Sequence, residues 1–190
     1  MTLPALKEVD GKGLVRTFSI ASAPDDPDLM IATRLTDSAL KRSLASLPLG
    51  SEIEIEGPYG DLTLHDDAAR PAAFLAGGIG ITPFRSMIRD AAKSGRARDL
   101  YLFYSNRSAE DAAFLSELEQ TAGENPGFKL VPPMTDAPDW QGARGFITRE
   151  MIERHVGDIA RPVFYLAGPP AMVAAMETLL KSAGVKAESI

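Results

Sequence analysis

The sequence predicts a protein of two parts, a small β-rich segment followed by a doubly wound parallel sheet. In about the first 66 residues, strand-like runs are separated by turns, and SEIEIEG alternates polar and apolar residues with the period of a strand. From residue 71 onward, short apolar runs alternate with amphipathic segments, the order expected of parallel crossover units. The polar stretch from His65 to Pro71 separates the two patterns and predicts a linker.

The first segment contains three predicted strands and one short helix. The strands are LVRTFSIAS, DLMIATRL and SEIEIEG, and the helix lies in TDSALKRSLASLPLG, where leucines recur at helical spacing. Ser38 is a suitable N-cap for this helix, and Gly50 follows its end.

The second segment contains four predicted strands, AAFLA, LYLFY, FKLV and VFYLA, with helices between them. Thr82 followed by Pro83 predicts the cap and first turn of the first helix. Ser108 and Asp111 form a predicted capping box for the helix AEDAAFLSELEQ. The helices REMIERHV and PAMVAAMETLLKSAG complete the pattern, and Gly184 closes the last one.

Composition excludes several classes of function. A net charge of −6 and a pI near 5.0 argue against nucleic-acid binding, which needs a clustered basic face. The absence of cysteine excludes disulfides, thiolate zinc sites and ordinary iron–sulfur clusters, and His65 and His155 have no ligand-like spacing, so we expect no metal site. No apolar run is long enough to span a membrane, and the polar start argues against a secretory signal, so we expect a cytoplasmic location.

A glycine cluster, Gly77, Gly78 and Gly80, lies between a predicted strand and a predicted helix. Glycines let a backbone approach an anion closely, and the free amides of a helix start attract negative charge. The cluster therefore predicts a phosphate site, although a tight strand-to-helix turn without a ligand fits equally well. The GxGxxG fingerprint of dinucleotide-binding folds is not matched.

Three other segments carry candidate binding groups. Arg16, Phe18 and Ser19 in VRTFSIAS place a cation, an aromatic ring and a hydroxyl on one predicted strand, suited to a phosphate, a flat heterocycle and a ring nitrogen. The run could also be plain strand. GPYG at 57–60 is a turn, and LAGPPAM at 166–172 is a second strand-to-helix junction, of the kind that lines ligand sites in parallel sheets.

In order and rough spacing, RTFS, GPYG, GGIGITP, YSNR and AGPPAM resemble the motifs of the ferredoxin-NADP reductase superfamily of flavin reductases. The resemblance covers about residues 13 to 185. It implies that residues 1–66 form a Greek-key β-barrel that binds FAD, incomplete here, and that residues 71–190 form an NAD(P)-binding domain around a doubly wound sheet of the five-strand type.

The resemblance also implies the site residues. Ser19 is the expected catalytic residue, through a hydrogen bond near flavin N5. The residues expected to bind the flavin are Arg16, Thr17, Phe18, Ser19, Arg34 and Ser38. Those expected to bind the nicotinamide nucleotide are Gly77, Gly78, Gly80, Ile81, Thr82, Pro83, Asn106, Arg107, Ala167, Gly168, Pro169 and Met172. A guanidinium at Arg107 suits a 2′-phosphate, so NADPH is favoured over NADH.

The implied function is a flavin-dependent NAD(P)H oxidoreductase. FAD, rather than FMN, would take hydride at N5 and pass electrons to a separate iron–sulfur or haem protein, because the chain itself lacks cysteine. Two alternatives stay open: a diffusible flavin or ferric reductase, and a non-catalytic nucleotide-binding remnant.

The sequence departs from the family pattern at four places. Phe18 stands where the family usually has Tyr, and Ala167 stands where many members have Cys. Family members have tens of residues before the motif that here begins at Arg16, and the resemblance would continue through a strand beyond Ile190. We therefore expect an incomplete barrel, either as a fragment or with strands from a partner, whose open edge invites self-association.

Overall fold

The computed structural model describes residues 15–94 and 98–190, which are built around a four-stranded parallel sheet. The order across the sheet is β3-β2-β1-β4, and every neighbouring pair is parallel. The strands are β1 (Ala72–Gly77), β2 (Leu100–Ser105), β3 (Phe128–Val131) and β4 (Val163–Ala167). The doubly wound sheet is confirmed, with four strands in the described residues where the five-strand type was expected.

Five helices accompany the strands in the described residues. They are α1 (Ala39–Ser46), α2 (Ile81–Lys93), α3 (Leu115–Glu124), α4 (Arg149–Val156) and α5 (Pro170–Ser182). Side chains of α2 and α3 pack with Phe74 and Leu102 on one face of the sheet, and those of α4 and α5 pack with Leu75 and Phe103 on the other. The alternation follows because successive side chains of a strand point to opposite faces. Both faces of the sheet are therefore covered.

Two predicted helix starts are wrong, and local geometry explains both. A 3₁₀ turn at Gly78–Gly80 leads directly into α2, so Gly80 is the N-cap and the Thr82 hydroxyl instead donates to the Ile79 carbonyl (3.2 Å). Pro83 stays within the first turn, where a missing N–H costs nothing. Helix α3 begins at Leu115, because Phe114 has a left-handed backbone conformation (φ 63°) that interrupts a helix, and the Asp111 carboxylate accepts hydrogen bonds from arginines instead of capping.

The predicted strands of the first segment are not continuous in residues 15–66. Ile20 and Ile31 form an isolated antiparallel bridge, and the Ala21 amide donates to the Met30 carbonyl (2.8 Å). A strand needs a partner backbone along its length as well as alternating side chains. Ile53 and Ile55, on the apolar side of SEIEIEG, are 40% and 52% exposed. The Ser38 cap is confirmed, since its hydroxyl accepts from the Lys41 amide (3.4 Å).

Polar side chains of α2 hold the first segment against the parallel sheet. Arg85 is buried, donates to the Ala21 carbonyl (2.6 Å) and to Glu117 of α3 (2.9 and 3.0 Å), and lies 4.6 Å from the Phe114 ring centre. The Ser86 hydroxyl donates to the carbonyl of Ser22 (2.7 Å). Because Ala21 follows RTFS closely, these bonds fix that segment relative to α2.

The predicted linker contacts the edge strand β4. The His65 amide donates to the Tyr165 hydroxyl, and His65 Nδ1 lies 2.8 Å from the same oxygen. His65 Nε2 lies 3.1 Å from the Arg70 carbonyl, which can only accept, so Nε2 carries the proton and Tyr165 donates to Nδ1. Burial lowers the pKa of His65, in keeping with a neutral ring. The linker is therefore fixed at a defined point on the sheet.

The Asp26 carboxylate is expected to make the fold sensitive to acid. It accepts from Arg89 (2.9 Å), the Ala23 amide (2.8 Å) and Lys93 (3.1 Å), and the Arg89 bond is the main reason that its pKa lies far below the ordinary value. Because the pKa of Asp26 is lower in the folded state, its ionised carboxylate stabilises the fold above the unfolded-state pKa of about 3.9. This stabilisation is lost as pH falls below that value. We expect a small decline in Tm below about pH 6.5, because the lowered pKa of His65 favours the neutral ring in the fold, and a further decline below about pH 4 as the Asp26 contribution is lost.

Thermal unfolding across this pH range checks the prediction. Asp26→Asn should flatten the acid limb of the curve, because the amide cannot lose a charge. Asp61→Asn, at an exposed carboxylate, serves as the control and should leave the limb as it is. Equal acid limbs in the wild type and Asp26→Asn would contradict the assignment.

Candidate functional site

The strand order changes direction between β1 and β4, and a cavity opens at that point. Helices α2 and α3 carry the chain from β1 outward to β3, and α4 returns it to β4 on the other side of β1. Crevices of this kind, outside the carboxyl ends of parallel strands, are the usual ligand sites of open α/β sheets. The cavity measures about 1030 Å³, at the upper end of the ~300–1,000 Å³ range of small-molecule sites.

The cavity brings together nearly all residues that the sequence singles out. From the first segment they are Arg16, Thr17, Phe18, Ser19, Arg34 and Ser38, and from the sheet domain Gly77, Gly78, Gly80, Thr82, Pro83, Asn106, Arg107, Ala167, Gly168, Pro169 and Met172. Ile81 is the exception and does not line the cavity: its side chain is fully buried in the core, because it is the first residue of α2 and faces the sheet. RTFS therefore faces the same cavity as the glycine turn.

Packing and backbone conformation explain why glycine occupies these three positions, in addition to the space that a ligand would need. A Cβ on Gly80 would lie 2.4 Å from the Ala167 carbonyl oxygen, and one on Gly77 would lie 2.3 Å from Met172 Sδ. Gly78 has a φ of +52°, a backbone conformation that residues other than glycine rarely adopt. Close approach of the β1 and β4 turns thus explains Gly77 and Gly80 without a ligand. The same closeness makes both turns walls of one cavity.

Two cavity-lining arginines share one carboxylate. Arg34 donates to the Asp111 side chain (3.4 Å) and to its backbone carbonyl (3.1 Å). Arg107 donates to the same carboxylate through Nε (3.1 Å) and Nη2 (3.4 Å). The hydrogen bond from Arg107, with the charge of both arginines, lowers the pKa of Asp111. The group is therefore an ionised carboxylate between two guanidinium groups at neutral pH.

Asn106 provides a buried polar group beside the cavity. Its side-chain amide donates to the Tyr104 carbonyl (3.4 Å), while its Oδ1 is buried without a hydrogen-bond partner among the described residues. Its backbone carbonyl accepts from the Thr135 amide (2.9 Å), which anchors the next loop. An unpaired buried acceptor is costly in a folded protein, so an Asn here is more readily explained by a site than by packing.

The cavity also contains residues that the sequence analysis missed. They are Ala32, Thr33, Thr36, Leu40, Lys41, Leu62, Ile79, Ser105, Thr135 and Phe146. Ser105 could have been found from its place at the end of β2. Phe146 lies in a loop without periodicity, and only the tertiary structure places its ring, which is 77% exposed, at the cavity.

The groups present fit a flavin with a nicotinamide nucleotide. The cavity offers cations for phosphates, two aromatic rings for flat heterocycles, and the hydroxyls of Ser19 and Thr82. Within residues 15–94 and 98–190, no group of three or more acidic or histidine side chains is arranged to hold a metal ion. In the same ranges, no helix has the length and apolar character needed to cross a membrane.

Fold and cavity together are those of the α/β proteins of the ferredoxin-NADP reductase type. The sequence profile of the oxidoreductase NAD-binding domain matches residues 74–178, and the chain belongs to this family.

Two curated bacterial relatives resemble nearly the whole chain. The glycine betaine monooxygenase reductase subunit of Chromohalobacter salexigens is 33% identical over 93% of this chain and 50% of its own length. The phenol 2-monooxygenase reductase component of Pseudomonas sp. strain CF600 is 32% identical over 93% of this chain and 51% of its own length. The chain thus spans about half the length of these relatives.

A solved structure confirms the fold expectation. The Amycolatopsis cytochrome P450 reductase GcoB superposes with a TM-score of 0.82 at 28% identity, over 96% of this chain and 56% of that one. Because the superposition includes the first segment, the resemblance extends beyond the region that the family profile matches.

Proposed function

We propose that this chain is the flavin and nucleotide part of an NAD(P)H-dependent reductase that supplies electrons to a separate acceptor. The observation that supports the proposal is the shared cavity: Arg16, Phe18 and Ser19 from one segment face the β1 and β4 turns of the other. Hydride transfer needs two flat rings held about 3–3.5 Å apart, and a cleft lined by two separate binding surfaces can do this. Residues 1–66 would form the flavin domain and residues 71–190 the nucleotide domain.

The protein groups would act mainly by binding and orientation. When bound, FAD would supply the redox chemistry, accepting hydride and releasing electrons singly. Arg16 would hold a flavin phosphate, Phe18 would pack against the ring system, and Ser19 would hydrogen-bond near N5. Ser38, as the cap of α1, would face the pyrophosphate through the start of that helix.

The nucleotide would bind across the ends of β1, β2 and β4. The 3₁₀ turn Gly78–Gly80, which leads into the start of α2, lines the cavity, and its backbone amides would suit a pyrophosphate. Met172 and Gly168 would lie beside the nicotinamide, and Asn106 beside a ribose. Phe146, at the cavity rim, offers a face for the adenine.

The acceptor is proposed from the relatives' names. One relative is a reductase subunit of a monooxygenase, and another, from Aspergillus terreus, is named NADH-cytochrome b5 reductase 1 and is 30% identical over 97% of this chain and 66% of its own length. Because this chain has no cysteine to hold an iron–sulfur cluster, an iron–sulfur acceptor would be a separate protein or a separate part of a longer chain, and the cytochrome b5 reductase relative suggests the same for a haem acceptor.

The absorption spectrum tests the proposal. Protein supplied with FAD should be yellow after removal of free flavin, and NADH or NADPH should bleach the flavin band without oxygen. Protein that refuses FAD would favour the non-catalytic alternative. Bleaching followed by rapid reoxidation with free FMN or ferric complexes alone would favour the diffusible reductase.

Arg16→Ala should weaken flavin binding. Loss of one charged hydrogen-bonded contact to phosphate costs roughly 1.5–3 kcal/mol, or about one to two orders of magnitude in Kd. Titration with FAD and with riboflavin measures the effect, because riboflavin lacks the phosphate and should bind both forms equally. An equal loss for both ligands would assign Arg16 a structural role instead.

A further inference from the structure

The charge balance of the cavity depends on a residue that does not line it. Four cationic side chains line the cavity in the described residues, namely Arg16, Arg34, Lys41 and Arg107. Two of these four, Arg34 and Arg107, bind the carboxylate of Asp111. Asp111 itself lies behind them and is about one-quarter exposed.

The carboxylate occupies one donor edge of the Arg107 guanidinium and offsets its positive charge. A guanidinium binds carboxylate and phosphate through the same planar fork of N–H donors. Arg107 directs Nε and Nη2 of that fork to Asp111. The expectation of NADPH from the sequence assumed that Arg107 is available to a 2′-phosphate. In the structure, Arg107 is paired with Asp111, four residues further along the chain.

Geometry at the second arginine holds the carboxylate in place. Arg34 bonds both the side chain and the backbone carbonyl of Asp111, so the acidic group is fixed from the side of the first segment. Arg34 also lies against Gly78, where a Cβ would be 3.2 Å from Nη2. An incoming 2′-phosphate near Arg107 would therefore meet a fixed negative charge and a guanidinium that is already paired.

We propose that Asp111 determines the choice of reduced nucleotide, engaging Arg107 so that the site takes NADH in preference to NADPH. This rests on the proposed function, and it takes Arg107, which follows Asn106, to lie near the adenosine ribose. Removing the negative charge frees the Arg107 guanidinium and removes the repulsion of a 2′-phosphate. The site should then bind NADPH more tightly, while its binding of NADH, which has a 2′-hydroxyl, should change little.

The test compares Asp111→Asn with the wild type. Asparagine keeps the size of the side chain and the backbone carbonyl that Arg34 bonds. The kcat/KM ratio of NADPH to NADH should rise about tenfold, which corresponds to about 1.4 kcal/mol. Binding of NADP⁺ and NAD⁺ to flavin-free protein, measured by calorimetry, should shift in the same direction.

Two further variants make the result specific. Glu110→Gln removes a neighbouring exposed negative charge that has no bond to either arginine, and should leave the ratio unchanged. Adding Arg107→Ala to Asp111→Asn should abolish the gain for NADPH.

The outcomes separate the two proposals. Equal changes for both nucleotides in Asp111→Asn would overturn the specificity role and leave Asp111 a structural residue. An NADPH gain that persists without Arg107 would also overturn it. Failure of the wild type to reduce flavin with either nucleotide, while calorimetry still shows the shifted preference, would contradict the proposed function alone.

Discussion

Arg85→Ala is expected to destabilise the fold by about 3 kcal/mol, a value typical of breaking a buried ion pair by removing one partner. The Arg85 side chain is 6% exposed and binds Glu117, the Ala21 carbonyl and the Phe114 ring. Its loss would leave the carbonyl without its donor and Glu117 with Arg89 alone. Guanidinium unfolding, followed by circular dichroism, measures the change.

The same variant should also lose flavin affinity. Arg85 holds Ala21, two residues beyond Ser19, against α2, so its removal frees RTFS from the glycine turn. Arg149→Ala is the matched control: Arg149 pairs with Glu153 one helical turn away and is half exposed, so its loss should cost at most about 0.5 kcal/mol. Similar losses for the two variants would show that the Arg85 contacts contribute little.

Gly80→Ala is expected to cost about 2–3 kcal/mol through overpacking. The added Cβ would lie 2.4–2.7 Å from backbone atoms of Ala167 and Gly168, which cannot move without shifting β4. The φ of −62° at Gly80 suits alanine, so the backbone conformation itself would not oppose the change. The cost would therefore report the close approach of the two turns.

Gly77→Ala is the matched comparison for Gly80→Ala. Its Cβ would meet mainly the Met172 side chain, whose flexible thioether can turn away, so we expect a smaller loss of about 1 kcal/mol. Unfolding free energies of the two variants give the comparison directly. If Gly80→Ala were as stable as the wild type, the two turns would be further apart in solution than the structure shows.

Periodicity carried most of the fold prediction. All four strands of the sheet and the bounds of α4 and α5 follow from apolar runs and helical spacing, because both faces of the sheet are buried and demand apolar residues. The strands predicted before residue 66 failed as continuous elements, since alternation specifies a face but supplies no partner backbone.

The sequence predicted the residues of the candidate site about as well as it predicted the strands and helices of the sheet domain. Motif order selected seventeen residues that the fold gathers at one cavity, because strand ends of a parallel sheet share an edge. Whether those residues bind the groups proposed for them is what the spectra and titrations above decide.

Chain order and spacing alone thus determined the doubly wound sheet and the segments that meet at its switch point. Only the tertiary structure decided what each side chain does there: Asp111 turns from a predicted helix cap to the partner of Arg34 and Arg107, and Phe146 reaches the rim from an irregular loop. The physical reason is the distance along the chain over which each kind of signal acts. Helical and strand periods act between near neighbours, whereas Arg34 and Asp111 are 77 residues apart and meet only after the sheet has formed.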